Sequence, residues 1–310
     1  MIISCENVGK SYDRIKALDG LSLEIPKGII FGLLGPNGAG KTTFINILAS
    51  LVRHDTGIIR VMDRRIPEDF SVLKKDMGFV PQDLAIYNDL TAYENVSFFA
   101  SLYGLRGKEK KEKVERVLEF TGLQERKNDL VKTYSGGMKR RLNIACGICH
   151  EPKLIFLDEP TVGIDPQSRN YILEAIKELN KKGNTVVYTT HYMEEAQELC
   201  NRIAIIDMGK IIAQGTLDEL RKLVSEHELL TIDLRKTGNT DPGEMARIPG
   251  VISVSMTDNQ LHIIHDGNRD MMEHVVTYIT GKNAGIVKME SRKPNLEDVF
   301  LSLTGKVLRD

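Results

Sequence analysis

The amino-acid sequence predicts an α/β protein: a mainly parallel sheet with an antiparallel β subdomain and a helical insertion, followed by a small α+β domain. Three observations carry this. Apolar strand-like runs alternate with helical periodicities over the first two thirds of the chain. A glycine-rich loop, Gly35-Pro36-Asn37-Gly38-Ala39-Gly40-Lys41-Thr42-Thr43, lies between an apolar run at 29–34 and an apolar-periodic segment at 44–51. Past residue 223 the chain turns to short strands and helices without any such loop. The first domain is therefore expected over 1–222, with its helical part at about 88–150, and the second over 223–310.

Composition sets the outer bounds. With 310 residues, 41% hydrophobic and 27% charged, the chain can fill two globular cores. Lys plus Arg number 42 against 43 Asp plus Glu, so no global basic field favours nucleic acid. No apolar run approaches the roughly 18 residues of a membrane span, and residues 1–10 lack a leader pattern, so a cytosolic chain is expected. The four cysteines are too scattered for a disulfide framework. Cys146-Gly147-Ile148-Cys149-His150 matches the haem-attachment spacing, yet it falls in a run of small and apolar residues that reads as a buried helix, where free Cys packs as a small hydrophobe.

In chain order, strand patterns at 2–8 and 21–25 flank a polar turn near Tyr12-Asp13-Arg14, an antiparallel pair ahead of the glycine-rich loop. Strands at 57–61 and 77–80 follow, the second ending in Pro81-Gln82. Thr91-Ala92-Tyr93-Glu94 has capping-box spacing, with Val96, Phe99, Ala100 and Tyr103 at helical intervals behind it. The Lys- and Glu-dense run at 106–116 mixes signs and repeats apolar residues at helical spacing, which reads as a solvated helix face rather than a nucleic-acid arm. Tyr134-Ser135-Gly136-Gly137-Met138 opens another helix. Residues 153–157 form an apolar strand closing on Asp158-Glu159. Asp165-Pro166 reads as N-cap plus first helical residue, and a β-branched strand at 184–190 stops at His191. Four strands thus end at the loop, Gln82, Asp158/Glu159 and His191, which places these motifs on one rim of a parallel sheet, where ligands bind in open sheets.

Each motif has a chemistry. The loop fits G-x-x-x-x-G-K-[ST]: backbone N–H groups converge on a polyphosphate, Lys41 offers charge to the β/γ oxygens, and Thr42 offers a hydroxyl to Mg²⁺. A helix N-terminus behind it adds its dipole. Asp158 sits where a carboxylate reaches Mg²⁺, with Glu159 as candidate base for an attacking water. Gln82 is a candidate metal and water contact, His191 a γ-phosphate contact, and Tyr12 an adenine platform. Ser135-Gly136-Gly137 is a second anion-suited helix start for which one chain has no evident use.

In this order the motifs resemble the ATP-binding subunits of ABC transporters, over about residues 1–220. The resemblance implies the P-loop NTPase ABC ATPase fold, ATP and Mg²⁺ as cofactors, and ATP hydrolysis coupled to transport through a separate transmembrane permease. Such proteins pair head to tail, so the signature of one copy closes over the ATP of the other; this gives Ser135, Gly136 and Gly137 a γ-phosphate to contact. It further implies that Tyr12 stacks adenine, Gly35 to Thr43 hold phosphates, and Gln82 senses Mg²⁺ and the permease. Thr42 and Asp158 serve the metal, Glu159 acts on water, Asp165 lies between the two sites, and His191 monitors the γ-phosphate. Tyr134 and Met138 depart from the commonest signature and resemble the drug-resistance and sodium-export branch, which implies export from the cytoplasmic face of the membrane. A soluble ABC ATPase acting on ribosomes or DNA is the alternative; those usually carry two cassettes or a long coiled-coil insert, and this sequence has neither heptads nor a zinc hook. A non-hydrolysing nucleotide sensor is a third class, separated from the others by turnover of Glu159→Gln.

For the last ninety residues, strands at 229–234, 251–256, 260–265 and 286–289, with helices near 242–248 and 269–279, predict the order βαββαβ, with a further helix from Leu296. The segment Pro294-Asn295-Leu296-Glu297-Asp298-Val299-Phe300-Leu301 resembles the domain appended in the same export branch.

Overall fold

The computed structural model describes residues 1–223, 228–266, 269–292 and 295–304, which form two compact units. The units divide between Thr216 and Leu217, whereas the sequence reading carried the first domain through 222.

The first unit opens with long hairpin strands, β1 (Ile3–Tyr12) and β2 (Ile15–Ile25). Both outrun the sequence expectation, because register shifts between Cys5 and Ser11 break the alternation that marks a strand. Then come β3 (Ile30–Leu34), α1 (Lys41–Leu48), β4 (Thr56–Val61), β5 (Arg64–Ile66), α2 (Phe70–Leu73) and β6 (Met77–Val80). The helical part holds α3 (Ala92–Leu102), α4 (Gly107–Phe120) and α5 (Gly136–Ile148). The chain returns through β7 (Leu154–Asp158), α6 (Pro166–Lys181), β8 (Thr185–Thr190), α7 (Met193–Leu199), β9 (Arg202–Asp207) and β10 (Lys210–Gly215).

β2-β1-β4-β5 form an antiparallel sheet, and β10-β9-β3-β8-β7-β6 a second one, parallel except for the β10 edge. β3, β7 and β8 are buried at every position, as central parallel strands covered on both faces must be. One apolar core joins the two sheets around Phe31, Phe44, Phe156 and Val187, with α1 between them. A second core lies on the other face, where Ile155, Leu157 and Tyr188 meet α3, α4, α5 and α6. Helix starts follow local chemistry: Thr91 and Glu94 make a reciprocal capping box, and Ser135 and Asp165 accept from Met138 N and Ser168 N.

The second unit starts with α8 (Leu217–Lys222) and continues through β11 (Glu228–Leu234), α9 (Pro242–Met245), β12 (Val251–Thr257), β13 (Gln260–His265), α10 (Arg269–Gly281), β14 (Ile286–Arg292) and α11 (Leu296–Thr304). Its sheet has the order β12-β13-β11-β14, all antiparallel, the split βαβ arrangement that the sequence predicts. Leu230, Ile232, Leu261 and Ile263 on one sheet face meet Met245 of α9 and Met271, Val275 and Ile279 of α10. α8 and α11 lie against each other, with Leu220, Leu296, Val299 and Phe300 buried.

Candidate active site

β3, β6, β7 and β8 run parallel and deliver their C-terminal residues to one rim. The glycine-rich loop leaves β3 there and turns into α1 through Gly40, whose φ of 108° lies in the left-handed region. A Cβ on Gly40 would stand 2.5 Å from the Ala17 carbonyl oxygen, and one on Gly35 2.3 Å from that of Ile206. Backbone crowding on both sides thus requires glycine at each position. The turn after β9 cinches the loop from outside, as Gly209 N donates to Ala39 O at 2.9 Å.

Lys41 is 4% exposed and points back into this loop, donating to the Gly35 and Pro36 carbonyls at 2.8 and 3.1 Å. Its Nζ also stands 3.0 Å from Glu159 Oε1. Glu159 has φ 45°, a left-handed conformation that a non-glycine residue holds only at a cost of about 1–3 kcal/mol, and such strain gathers at functional sites. The other oxygen, Oε2, meets His191 Nδ1 at 3.1 Å. One carboxylate therefore bridges the loop lysine and the β8-end histidine.

Asp158, 1% exposed, accepts from Thr189 Oγ1 at 2.6 Å, and the same hydroxyl accepts from Glu159 N at 2.9 Å. Burial pushes the Asp158 carboxyl pKa up, against hydrogen bonding from Thr189 and from Thr42. Thr42 and Asp158 are thus side by side beneath the loop. Their hydroxyl and carboxylate are hard oxygen donors of the kind that suits a Mg²⁺ keeping several of its waters.

The other predicted residues have partners of their own. The Gln82 carbonyl accepts from buried Arg140 of α5, and Asn143 of α5 holds the same loop through Ala85 N and Pro81 O at 3.0 and 3.2 Å. The helix behind Ser135-Gly136-Gly137 thereby supports the Gln82 loop, a link that sequence reasoning missed. A Cβ on Gly137 would stand 1.9 Å from Ser168 Oγ, whereas one on Gly136 would meet nothing within 4 Å. Internal packing explains the second glycine and leaves the first open. Tyr12 is 45% exposed at the end of β1, with Lys10 Nζ 5.3 Å from its ring centre.

Sequence reasoning also passed over Glu195 on α7. It is fully buried and accepts from Thr161, Tyr188 and Thr190 hydroxyls. The one available signal was a buried strand ending Tyr188-Thr189-Thr190, whose hydroxyls need an acceptor. The haem-like spacing resolves as core: Cys146 and Cys149 are buried, Cys149 Sγ donates to Cys146 O at 3.3 Å, and His150 stacks on Tyr103 with Nε2 3.0 Å from Met77 O. Burial pushes the Cys149 thiol up to about 12 and His150 down to about 4.

The ABC transporter family profile matches residues 18–162, and that of the C-terminal domain of DrrA1-3-like ATP-binding proteins matches 215–304. The linearmycin resistance ATP-binding protein LnrL of Bacillus subtilis is 42% identical over all of both chains. The Nod factor export ATP-binding protein I of Sinorhizobium fredii is 35% identical, over 99% of this chain and 87% of its own. A dimeric ATP-binding cassette in a post-hydrolysis state with ADP and Pi superposes with a TM-score of 0.64 at 27% identity, covering 69% of this chain and 98% of its own. With a glycine-rich loop, an acidic strand end and a histidine meeting on one rim, and full-length relatives of this kind, the chain belongs to the ABC transporters as an ATP-binding, ATP-hydrolysing subunit.

Proposed function

We propose that two copies of the chain bind two MgATP between them, head to tail, and drive export through a separate membrane permease. The observation that carries this is a second anion-suited helix start in the same chain. Glu159 reaches both Lys41 and His191, while Ser135-Gly136-Gly137 forms a helix start whose first glycine faces open space. A second copy's phosphates complete that anion site. The dimeric cassette with ADP and Pi supports the pairing, and relatives named for Nod factor export and linearmycin resistance support the direction.

In this reading ATP draws Lys41 from Glu159 onto the β/γ oxygens, loop amides surround the phosphates, and Tyr12 stacks on adenine. Thr42 and Asp158 would hold Mg²⁺, with Gln82 as a further contact, and the metal would supply positive charge against the phosphates. Freed of Lys41, Glu159 takes a proton from the water whose oxygen attacks the γ-phosphorus, ADP leaves, and His191 holds Glu159 and the γ-phosphate in line. Closure and reopening of the dimer then move the permease. The permease would seat on Leu84, Tyr87, Phe98 and Leu102, exposed apolar residues on the loop after Gln82 and on α3, with the Tyr87 and Phe98 rings edge-to-face at 5.3 Å. Among the described residues no helix is long and apolar enough to cross a membrane, so the pore is assigned to that partner.

Light scattering of Glu159→Gln with MgATP tests the reading. A dimer that disappears on adding Ser135→Arg supports it; lone molecules at saturating MgATP refute it.

A further inference from the structure

α7 carries three carboxylates, and they divide by location. Glu194 and Glu198 are exposed, whereas Glu195 has no exposed surface. Glutamate is almost never buried so completely unless it is paired. Its Oε2 accepts from Thr161 Oγ1 at 3.0 Å, Tyr188 Oη at 2.6 Å and Thr190 Oγ1 at 2.9 Å. Its Oε1 stands 2.8 Å from Arg169 Nε, an ion pair whose N–H is not aligned as a hydrogen bond.

The partners matter more than their number. Thr190 immediately precedes His191, and its hydroxyl also accepts from Tyr192 N at 2.9 Å, so both neighbours of His191 are pinned to one carboxylate. Thr161 lies two residues past Glu159. Arg169 sits in the first turn of α6, its backbone N bonded to Asp165 O at 3.0 Å, and its guanidinium lies over the Tyr192 ring at 5.6 Å. A buried ion pair is seldom the most stabilising way to fill such a space, since apolar residues of equal volume often do as well or better. What the network supplies is a fixed geometry.

We infer that Glu195 is a positioning residue for hydrolysis, locking His191 against Glu159 and tying both to the segment that contains Asp165. The inference rests on the proposed roles of Glu159 and His191. Without Glu195's charge, the three hydroxyls and Arg169 no longer share an anchor, and His191 swings relative to Glu159 while the phosphate loop, on the other side of Glu159, keeps its nucleotide.

The test is a double-mutant cycle on steady-state ATP hydrolysis. Glu195→Gln keeps an oxygen for the hydroxyls and places an amide against Arg169. It is expected to lower kcat about tenfold or more with KM for MgATP changed less than about threefold; added to His191→Ala it should cost less than about twofold further, because residues acting as a unit are not additive. Thr190→Val should behave like Glu195→Gln, and Thr190→Ser like wild type. If Glu195→Gln fails to fold, Thr190→Val is read in its place by the same criteria. A folded Glu195→Gln with wild-type kcat, or a loss that multiplies in full with that of His191→Ala, overturns the proposal alone. Undiminished turnover by His191→Ala overturns the underlying reading of the site and the proposal with it.

Discussion

Glu159→Gln is expected to tighten nucleotide binding while it slows turnover, and the first effect follows from the Lys41–Glu159 pair. Lys41 and Glu159 are both about 95% buried and 3.0 Å apart, so nucleotide must take Lys41 away from a carboxylate. At an effective dielectric constant of about 20, the gross Coulomb attraction at that distance is about 5.5 kcal/mol. Most of it is offset by desolvation and by the Gly35 and Pro36 carbonyls, which hold Lys41 in any case. If about a quarter survives as a net penalty on nucleotide binding, removing it is worth about 1.4 kcal/mol, a tenfold gain in affinity. ADP is the discriminating ligand, because a trapped ATP dimer would also raise apparent ATP affinity, whereas in the proposed site Lys41 would reach the β-phosphate of either nucleotide. Calorimetric titration should show ADP bound about tenfold tighter by Glu159→Gln, with kcat for ATP about 10²–10⁴ lower if Glu159 is the general base. Equal ADP affinity would mean that the ion pair does not compete with nucleotide; unchanged turnover would remove Glu159 from the chemistry.

The two signature glycines should separate packing from function. Gly137→Ala places a methyl group against Ser168 and is expected to lower the thermal midpoint of the nucleotide-free protein by several degrees, about 1–3 kcal/mol, whereas Gly136→Ala should leave the midpoint unchanged and lower ATPase. Asp158 makes a pH-dependent prediction of unusual sign. Its folded pKa is raised by burial, so above the unfolded value the native state holds the extra proton and stability falls as pH rises through the folded pKa. Asp158→Asn should therefore unfold at a higher temperature than wild type at pH 7 without nucleotide, the gap closing as pH falls toward the ordinary carboxylate range; a gap independent of pH would contradict the burial argument. Cys149, with its thiol pushed up to about 12, should resist iodoacetamide in the native protein at pH 8 and react on denaturation, as followed by mass spectrometry.

The candidate residues at strand ends were legible because the pattern that marks them is local. A phosphate loop needs glycines where the backbone closes on itself, and Gly35 and Gly40 meet neighbouring carbonyls as that demands. A central parallel strand stays apolar until it reaches the rim, as β7 does before Asp158 and Glu159. The order of the second unit was legible for a similar reason: its central strands β11 and β13 alternate, and its sheet buries one face. β1 and β2 were under-read because bulges interrupt that alternation, and β5, α2 and α7 are too short for any period to register.

Glu195 shows what no local pattern could reveal. Nothing in Met193-Glu194-Glu195-Ala196-Gln197-Glu198 marks one of its three carboxylates for burial, and two of them are exposed. What draws the third inside is a set of donors from three other places: Thr161 after β7, Tyr188 and Thr190 on β8, and Arg169 on α6. Each donor alone is ordinary. Only the parallel pairing of β7 with β8, with α6 and α7 packed beside them, makes one acceptor serve them all. The strand-end motifs identify the groups proposed to touch nucleotide, while in that proposal the angle between His191 and Glu159 depends on a residue whose importance exists only in the folded chain. A sequence that kept every motif but placed an apolar residue at 195 would preserve the pattern and leave three buried hydroxyls without their acceptor.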